Sequence, residues 1–229
     1  MQISIITLFP EVFTQIFNNS LLKRAQIKKK LVIEMVNLRD FGQGKHRTVD
    51  DRPYGGGVGM VLRVDVLTQA IESTKKKSGR EAVILLDPKG KQYKQEDVEF
   101  YSKYDHLILV CGHYEGFDER IRKIVDFELS IGDYILSGGE IPAMVVVESI
   151  ARLIPGVFEK EEASYYESFS KIDGKRILEE PIYTRPAVYK GDSVPKELLS
   201  GDPKSISKYR KKEALNLTKK RRPNILKKP

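Results

Sequence analysis

Cysteine is almost absent from this chain: Cys111 is the single one among 229 residues. One thiol can neither close an internal disulfide nor supply a multi-cysteine zinc site, and its place in the run Leu107-Ile108-Leu109-Val110-Cys111 predicts burial rather than reactivity. A reducing compartment, and so a cytoplasmic protein, is expected. Histidine is scarce too: His46, His106 and His113 have no metal-ligand spacing, so no metal site is expected, and His106 reads as a strand-entry residue. No apolar run approaches the roughly 20 residues that a membrane span needs. The stretch Met1 to Pro10 has no basic flank and reads as a first strand, not a signal peptide. That strand runs into Phe9-Pro10-Glu11 without a Gly-x-Gly-x-x-Gly, which disfavours a Rossmann nucleotide site. The lack of Gly-x-x-x-x-Gly-Lys-Ser/Thr argues against P-loop phosphoryl transfer. Neither an internal repeat nor extended low complexity is visible.

Positive charge is what the chain has in excess, with a formal net charge of +8. Residues 1–160 carry roughly 23 basic against 22 acidic side chains, and residues 161–229 roughly 17 against 10. From Lys204 onward Glu213 is the single acidic residue, while Lys219, Lys220, Arg221 and Arg222 fall together. Such a face suits a polyphosphate backbone, although a solvated basic tail looks the same in sequence.

Aliphatic runs at Ile3 to Leu8, Leu31 to Val36, Ala82 to Leu86 and Leu107 to Gly112 predict interior parallel strands. Helical spacing at Glu11 to Phe17, Val64 to Lys75, Gln95 to Lys103 and Gly139 to Leu153 alternates with them. That order predicts an α/β sheet with helices on both faces and a ligand crevice at the strands' carboxyl ends. Asp87-Pro88-Lys89-Gly90, Gly112-His113-Tyr114-Glu115-Gly116 and the run from Ser130 to Gly139 would converge there. Residues 39–60, with the cluster Asp50 to Gly59, are too long and patterned for a plain connector and should fold against a ligand or partner. The polar stretch 158–174 predicts a mobile linker between the α/β domain and a small basic helical domain. In the latter, Pro203 to Leu217 is helical in character and Pro223 bars a longer helix.

The run Ser130-Ile131-Gly132-Asp133-Tyr134-Ile135-Leu136-Ser137-Gly138-Gly139-Glu140 interrupts apolar residues with glycines. Its backbone could lie against a flat ligand, with Ile131, Tyr134, Ile135 and Leu136 as walls, or simply turn before a helix.

Together with Asp51-Arg52-Pro53-Tyr54-Gly55-Gly56-Gly57, Cys111-Gly112-His113-Tyr114-Glu115-Gly116, Ile154-Pro155-Gly156-Val157 and Tyr183-Thr184-Arg185-Pro186, this run resembles the bacterial tRNA (guanine-N1-)-methyltransferases. The motifs keep their order from Phe9-Pro10 to Arg221-Arg222-Pro223 and span nearly the whole chain. The resemblance implies an α/β SPOUT methyltransferase domain with a deep trefoil knot over residues 1–158, a linker over 159–174 and a mainly helical tRNA-binding domain over 175–229. It further implies S-adenosylmethionine as cofactor, an obligate homodimer with shared active sites, tRNA as partner, and methylation at N1 of the guanosine after the anticodon. Mg²⁺ assistance stays open, and no metal ligands are assigned.

Transfer to N1 needs a base for the N1 proton and a cation for the charge developing on guanine O6. By the resemblance these are Glu167, where the family usually has Asp, and Arg152, with Asp173 as the fallback base. Taken as plain residues, Glu167 could be a solvated linker carboxylate and Arg152 a helix-end cap. The implied cofactor positions are Leu86, Pro88, Gly112, Tyr114, Glu115, Ile131, Gly132, Asp133, Tyr134, Ile135, Leu136, Gly138, Gly139 and Pro142. Among these, Glu115 is suited to ribose hydroxyls, while Pro88 and Leu136 could pack on the ring or belong to the core. His113 stands where many relatives have Arg, and Val58 where many have Pro. RNA contacts are expected from Lys45, His46, Arg47, Arg52, Arg185, Lys219, Lys220, Arg221 and Arg222. A non-catalytic RNA-binding protein with a decayed cofactor fold, or a SPOUT enzyme acting on ribose 2′-OH or ribosomal RNA, are the competing readings.

Overall fold

A computed structural model describes residues 1–76, 78–158, 167–172 and 174–226. The chain divides into two compact units, Met1–Glu159 and Lys160–Pro229.

The first unit is organised by period-two burial. Strands β1 (Gln2–Thr7) and β2 (Val32–Asn37) are followed by the two-residue strands β3 (Asp50–Asp51) and β4 (Val61–Leu62), then by β5 (Glu81–Gln92), β6 (His106–Cys111) and β7 (Phe127–Ser130). Five of them form a sheet in the order β2-β1-β6-β5-β7, parallel throughout. Ile3, Ile5, Ala82, Ile84, Leu107, Leu109 and Leu129 face one core with α1 (Thr14–Phe17), α2 (Ser20–Ile27), α4 (Gln95–Tyr101) and α5 (Glu140–Ala151). On the other face Ile6, Val83, Leu85, Ile108 and Val110 pack on α3 (Val64–Thr74) through Val66, Leu67, Ala70 and Ile71. Alternate residues of each strand thus bury on opposite sides, which places helices on both faces.

The expected interior strands are central in three cases. The Leu31–Val36 run instead forms the edge strand β2, where Val32 is 53% exposed. In this unit β3, β4, β7 and α2 were not expected. The edge strand β7 is short and carries Glu128, and α2 buries only Leu21, Leu22 and Ala25 between polar neighbours. His106 does open β6, buried between Ser4 Oγ at 2.9 Å and the Glu81 carboxylate at 2.5 Å.

The second unit contains the hairpins β8 (Lys171–Ile172) with β9 (Lys175–Arg176) and β10 (Val188–Tyr189) with β11 (Asp192–Ser193). Its helices are α6 (Lys196–Leu199) and α7 (Pro203–Arg221). The first hairpin falls across residue 174, where an aperiodic linker was expected to end; the fallback base Asp173 and residues 159–166 lie outside the described residues. Helix α7 runs four residues beyond Leu217 because Thr218 is fully buried, its hydroxyl donating to the Ala214 carbonyl at 2.7 Å. It stops before Pro223, as the missing N–H and fixed φ of proline require. No helix among the described residues is long and apolar enough to cross a membrane.

Candidate active site

The irregular middle of β5 and the carboxyl ends of β6 and β7 open into a cleft of about 250 Å³. Three segments build it: the β5 stretch Leu86–Lys89, the loop Gly112–Phe117 after β6, and the run Leu129–Gly139 that leaves β7 and enters α5. The last two are held to one another. The Gly139 N–H donates to the Gly112 carbonyl at 2.8 Å, and His113 and Gly138 form an antiparallel bridge.

Glycine is required where these segments cross. A Cβ on Gly139 would stand 2.6 Å from Cys111 Cα and 2.7 Å from the Gly112 nitrogen. Both obstacles are backbone, which cannot swing aside, so the close approach excludes any side chain. Above this floor the walls are Pro88, Ile131, Tyr134, Ile135, Leu136 and Pro142. Tyr114 holds φ at +58°, a conformation costly for a residue with a bulky side chain, and such strain clusters at ligand sites.

The polar groups are few and specific. His113 lies edge-on to Phe9 at 5.0 Å and to Tyr114 at 4.6 Å, and its Nδ1 is buried with no hydrogen-bond partner. Behind the floor, the Thr7 hydroxyl donates to the Glu140 carboxylate at 2.7 Å, tying β1 to the start of α5. Burial, with the Glu140 charge as a second cause, pushes the Cys111 thiol well above its ordinary range, so it stays protonated and inert.

Thirteen of the fourteen expected cofactor positions line this one cleft: Leu86, Pro88, Gly112, Tyr114, Glu115, Ile131, Gly132, Tyr134, Ile135, Leu136, Gly138, Gly139 and Pro142. Asp133 does not; it is exposed beside a tight turn in which the Tyr134 N–H donates to the Gly132 carbonyl at 3.0 Å. Eight further residues line the cleft and were not expected, Asp87, Lys89, His113 and Phe117 among them. Asp87, Lys89 and His113 sit inside the segments that the sequence singled out, which was the available signal.

The two expected catalytic residues are placed differently. Arg152 caps the carboxyl end of α5, its guanidinium 5.2 Å from the Phe158 ring centroid. Ten residues separate it from Pro142, about 15 Å along the helix axis, so one chain does not bring it to its own cleft. Glu167 lies in the second unit, partly buried. There the carboxyl of Glu179 is raised above its ordinary value, first by burial and then by the charges of Glu180 and Glu167. The Arg210 guanidinium, 3.2 Å from Glu180, pulls the other way.

The expected RNA residues are exposed and belong to both units. Lys45, His46 and Arg47 occupy a turn closed by a Gln43–Thr48 bridge, with Arg47 paired to Asp40 at 3.0 Å. Arg52 follows β3, and Arg185 lies in the segment before β10. Lys219, Lys220 and Arg221 form the last turn of α7, where cations complement the helix dipole. Arg222 caps that helix with its guanidinium 5.7 Å from the Phe169 ring centroid. Among the described residues no group of three histidine, cysteine or acidic side chains could hold a metal ion.

The family described as tRNA (Guanine-1)-methyltransferase TrmD matches residues 1–228. Similar proteins named tRNA (guanine-N(1)-)-methyltransferase include one from Anoxybacillus flavithermus, 49% identical over 228 residues, which are 99% of this chain and 91% of the relative. Those from Bacillus pumilus and Bacillus subtilis are 47% and 46% identical, covering 92% and 93% of the relatives and 99% of this chain.

Proposed function

We propose that this chain, which belongs to the tRNA (guanine-1)-methyltransferase TrmD family, transfers a methyl group from S-adenosylmethionine to N1 of the guanosine at tRNA position 37, next to the anticodon. The observation that carries the reading is the glycine-floored cleft between the middle of β5 and the carboxyl ends of β6 and β7. Its residues fit the cofactor. A floor without side chains between Pro88 and Leu136 accepts a flat heteroaromatic ring, and Glu115 at the rim accepts hydrogen bonds from ribose hydroxyls. When bound, S-adenosylmethionine supplies an electrophilic sulfonium methyl.

The remaining chemistry falls to the protein. Glu167 accepts the N1 proton as the N1 lone pair takes the methyl group, and the Arg152 guanidinium faces the charge that grows on O6. Because Arg152 stands a helix length from its own cleft, we assign it to the cleft of a second copy, giving a homodimer with shared sites. Ile141 and Val145, 55% and 41% exposed on α5, offer that copy an apolar strip. The contact of the Gly112 loop with the run entering α5 supports the SPOUT trefoil knot as the fold of residues 1–158. Residues 175–229, with their basic helix end, act in this scheme as the tRNA-binding domain. A tRNA substrate and a lone cysteine fit the cytoplasm, and Mg²⁺ is given no protein ligand.

Mass mapping of tRNA after reaction is expected to find 1-methylguanosine at position 37. A ribose-methylated product, or none, would overturn the reading. Shared sites are tested by co-refolding Glu167→Gln with Arg152→Ala chains, each inactive alone. With Glu167 assigned to the cleft of its own chain and Arg152 to that of the partner, a mixed dimer holds one intact site, so the mixture should recover about a quarter of wild-type activity. No recovery refutes this division of the two residues between subunits.

A further inference from the structure

The wall of the cleft that carries Pro88 is not a regular strand. In the pairing of β5 with β7, Leu129 is the partner of Leu86 and again of Lys91, so Asp87, Pro88, Lys89 and Gly90 form a bulge opposite a single residue. A bulge re-aims side chains and is found beside active sites. Here Asp87, Pro88 and Lys89 all line the cleft, Asp87 at its buried side with 7% exposure. Gly90 presses backbone to backbone on β7, where an added Cβ would stand 2.5 Å from the Leu129 nitrogen.

What fastens the bulge is one arginine. Asp87 accepts the Lys89 N–H at 2.9 Å through Oδ1 and an Arg122 Nη2 hydrogen at 2.8 Å through Oδ2. The same guanidinium donates through Nε to Glu119 at 2.9 Å and through Nη1 to Glu128 on β7. Its side chain is 18% exposed. Three carboxylates therefore surround one cation, and each of its three nitrogens has its own acceptor. Only a planar fork of five donors can do this; a lysine ammonium could satisfy one of the three at good geometry. Removing the cation leaves Asp87 charged and buried without its partner, and the bulge then relaxes outward to rehydrate it.

We infer that Arg122 is a positioning residue for cofactor binding: through Asp87 it locks the β5 bulge and so holds the Pro88 wall of the cleft in place. The inference rests on the cleft being the S-adenosylmethionine site. Arg122 itself reaches no bound group; it acts only through the carboxylate and backbone of the bulge. A loosened wall loses contact with the bound ring, and about 1.4 kcal/mol of lost contact weakens binding about tenfold.

Calorimetric titration of S-adenosylmethionine into the wild-type dimer, Arg122→Gln and Arg122→Lys tests this, with tRNA affinity measured on the same preparations. Gln should raise the cofactor Kd about tenfold and Lys about threefold, with tRNA Kd unchanged. A purely structural role would lower the melting temperature of both variants yet leave the cofactor Kd of the folded protein at its wild-type value, and that result overturns the inference. Should the Gln variant fail to fold, the Lys variant decides alone: a cofactor Kd equal to wild type refutes the positioning role. Absence of binding by the wild type refutes the cleft assignment, and this inference with it.

Discussion

Replacing Gly139 by alanine tests the cleft floor with one methyl group. The residue sits at φ −83° and ψ −1°, an ordinary region for any amino acid, so the substitution probes space and not backbone strain. The added Cβ would meet Cys111 Cα at 2.6 Å and the Gly112 nitrogen at 2.7 Å, about 1 Å inside normal contact between such atoms. The obstacles belong to the end of β6, which is buried along its whole length. Relief must come from moving the start of α5, and the hydrogen bond from the Gly139 N–H to the Gly112 carbonyl lengthens as it moves. Overpacking of this kind costs about 1–3 kcal/mol. Taking about 2 kcal/mol, the first unit should melt about 4–8 °C lower. If the displaced segment is the cofactor wall, S-adenosylmethionine affinity should fall by about 30-fold, the same energy at 1.4 kcal/mol per decade. Gly55→Ala is the control, because its φ of +85° imposes about 1 kcal/mol of strain while nothing lies within 4 Å of the new methyl. Differential scanning calorimetry and cofactor titration should separate the two variants: both lose stability, and only Gly139→Ala loses affinity. Wild-type cofactor affinity in a folded Gly139→Ala protein would refute the argument that these two segments wall one ligand slot.

The basic end of α7 should behave as a phosphate contact surface. Changing Lys219, Lys220, Arg221 and Arg222 together to alanine is expected to weaken tRNA binding and to reduce the slope of log affinity against log salt by about 3, with cofactor binding intact. Unaltered tRNA affinity would remove the helix end from the interface. Glu179 offers a pH test of the second unit. Its folded pKa lies above the ordinary 4.5, chiefly through burial, so the stability linked to its protonated form is complete below the unfolded value and is lost as pH rises through the folded one. Glu179→Gln keeps the neutral form at every pH, so it should stabilise this unit at pH 7 by about 0.5 kcal/mol and not at pH 4. Melting curves at both values check the sign, and a variant that is relatively less stable at pH 7 than at pH 4 contradicts the assigned cause.

The parts of this molecule that could be read in sequence are those that local chemistry determines. Residues 82–86 of β5 and 107–111 of β6 are buried on both faces, so they read as aliphatic runs, and the segments that follow them line the cleft. Strand β7 escaped notice because an edge strand of four residues with Glu128 in it has neither a long run nor a clear alternation. Asp133 was grouped with its neighbours because a contiguous motif does not reveal which member a tight turn throws outward. The grip of Arg122 on Asp87 spans 35 residues, and nothing local in Glu119-Arg120-Ile121-Arg122 tells which arginine finds the buried carboxylate. Arg120 instead folds back on Asp118 at 2.6 Å, 66% exposed, an ion pair of little energetic consequence. Two arginines a single residue apart thus differ because Arg122 lies against the end of the sheet and Arg120 does not. Arg152 carries the same lesson one level further. Its position at a helix end was legible locally, but a helix of twelve residues separates it from the cleft. Under the shared-site proposal its contact with a guanine would depend on a second copy of the chain, for which the motif around Arg152 carries no local signal.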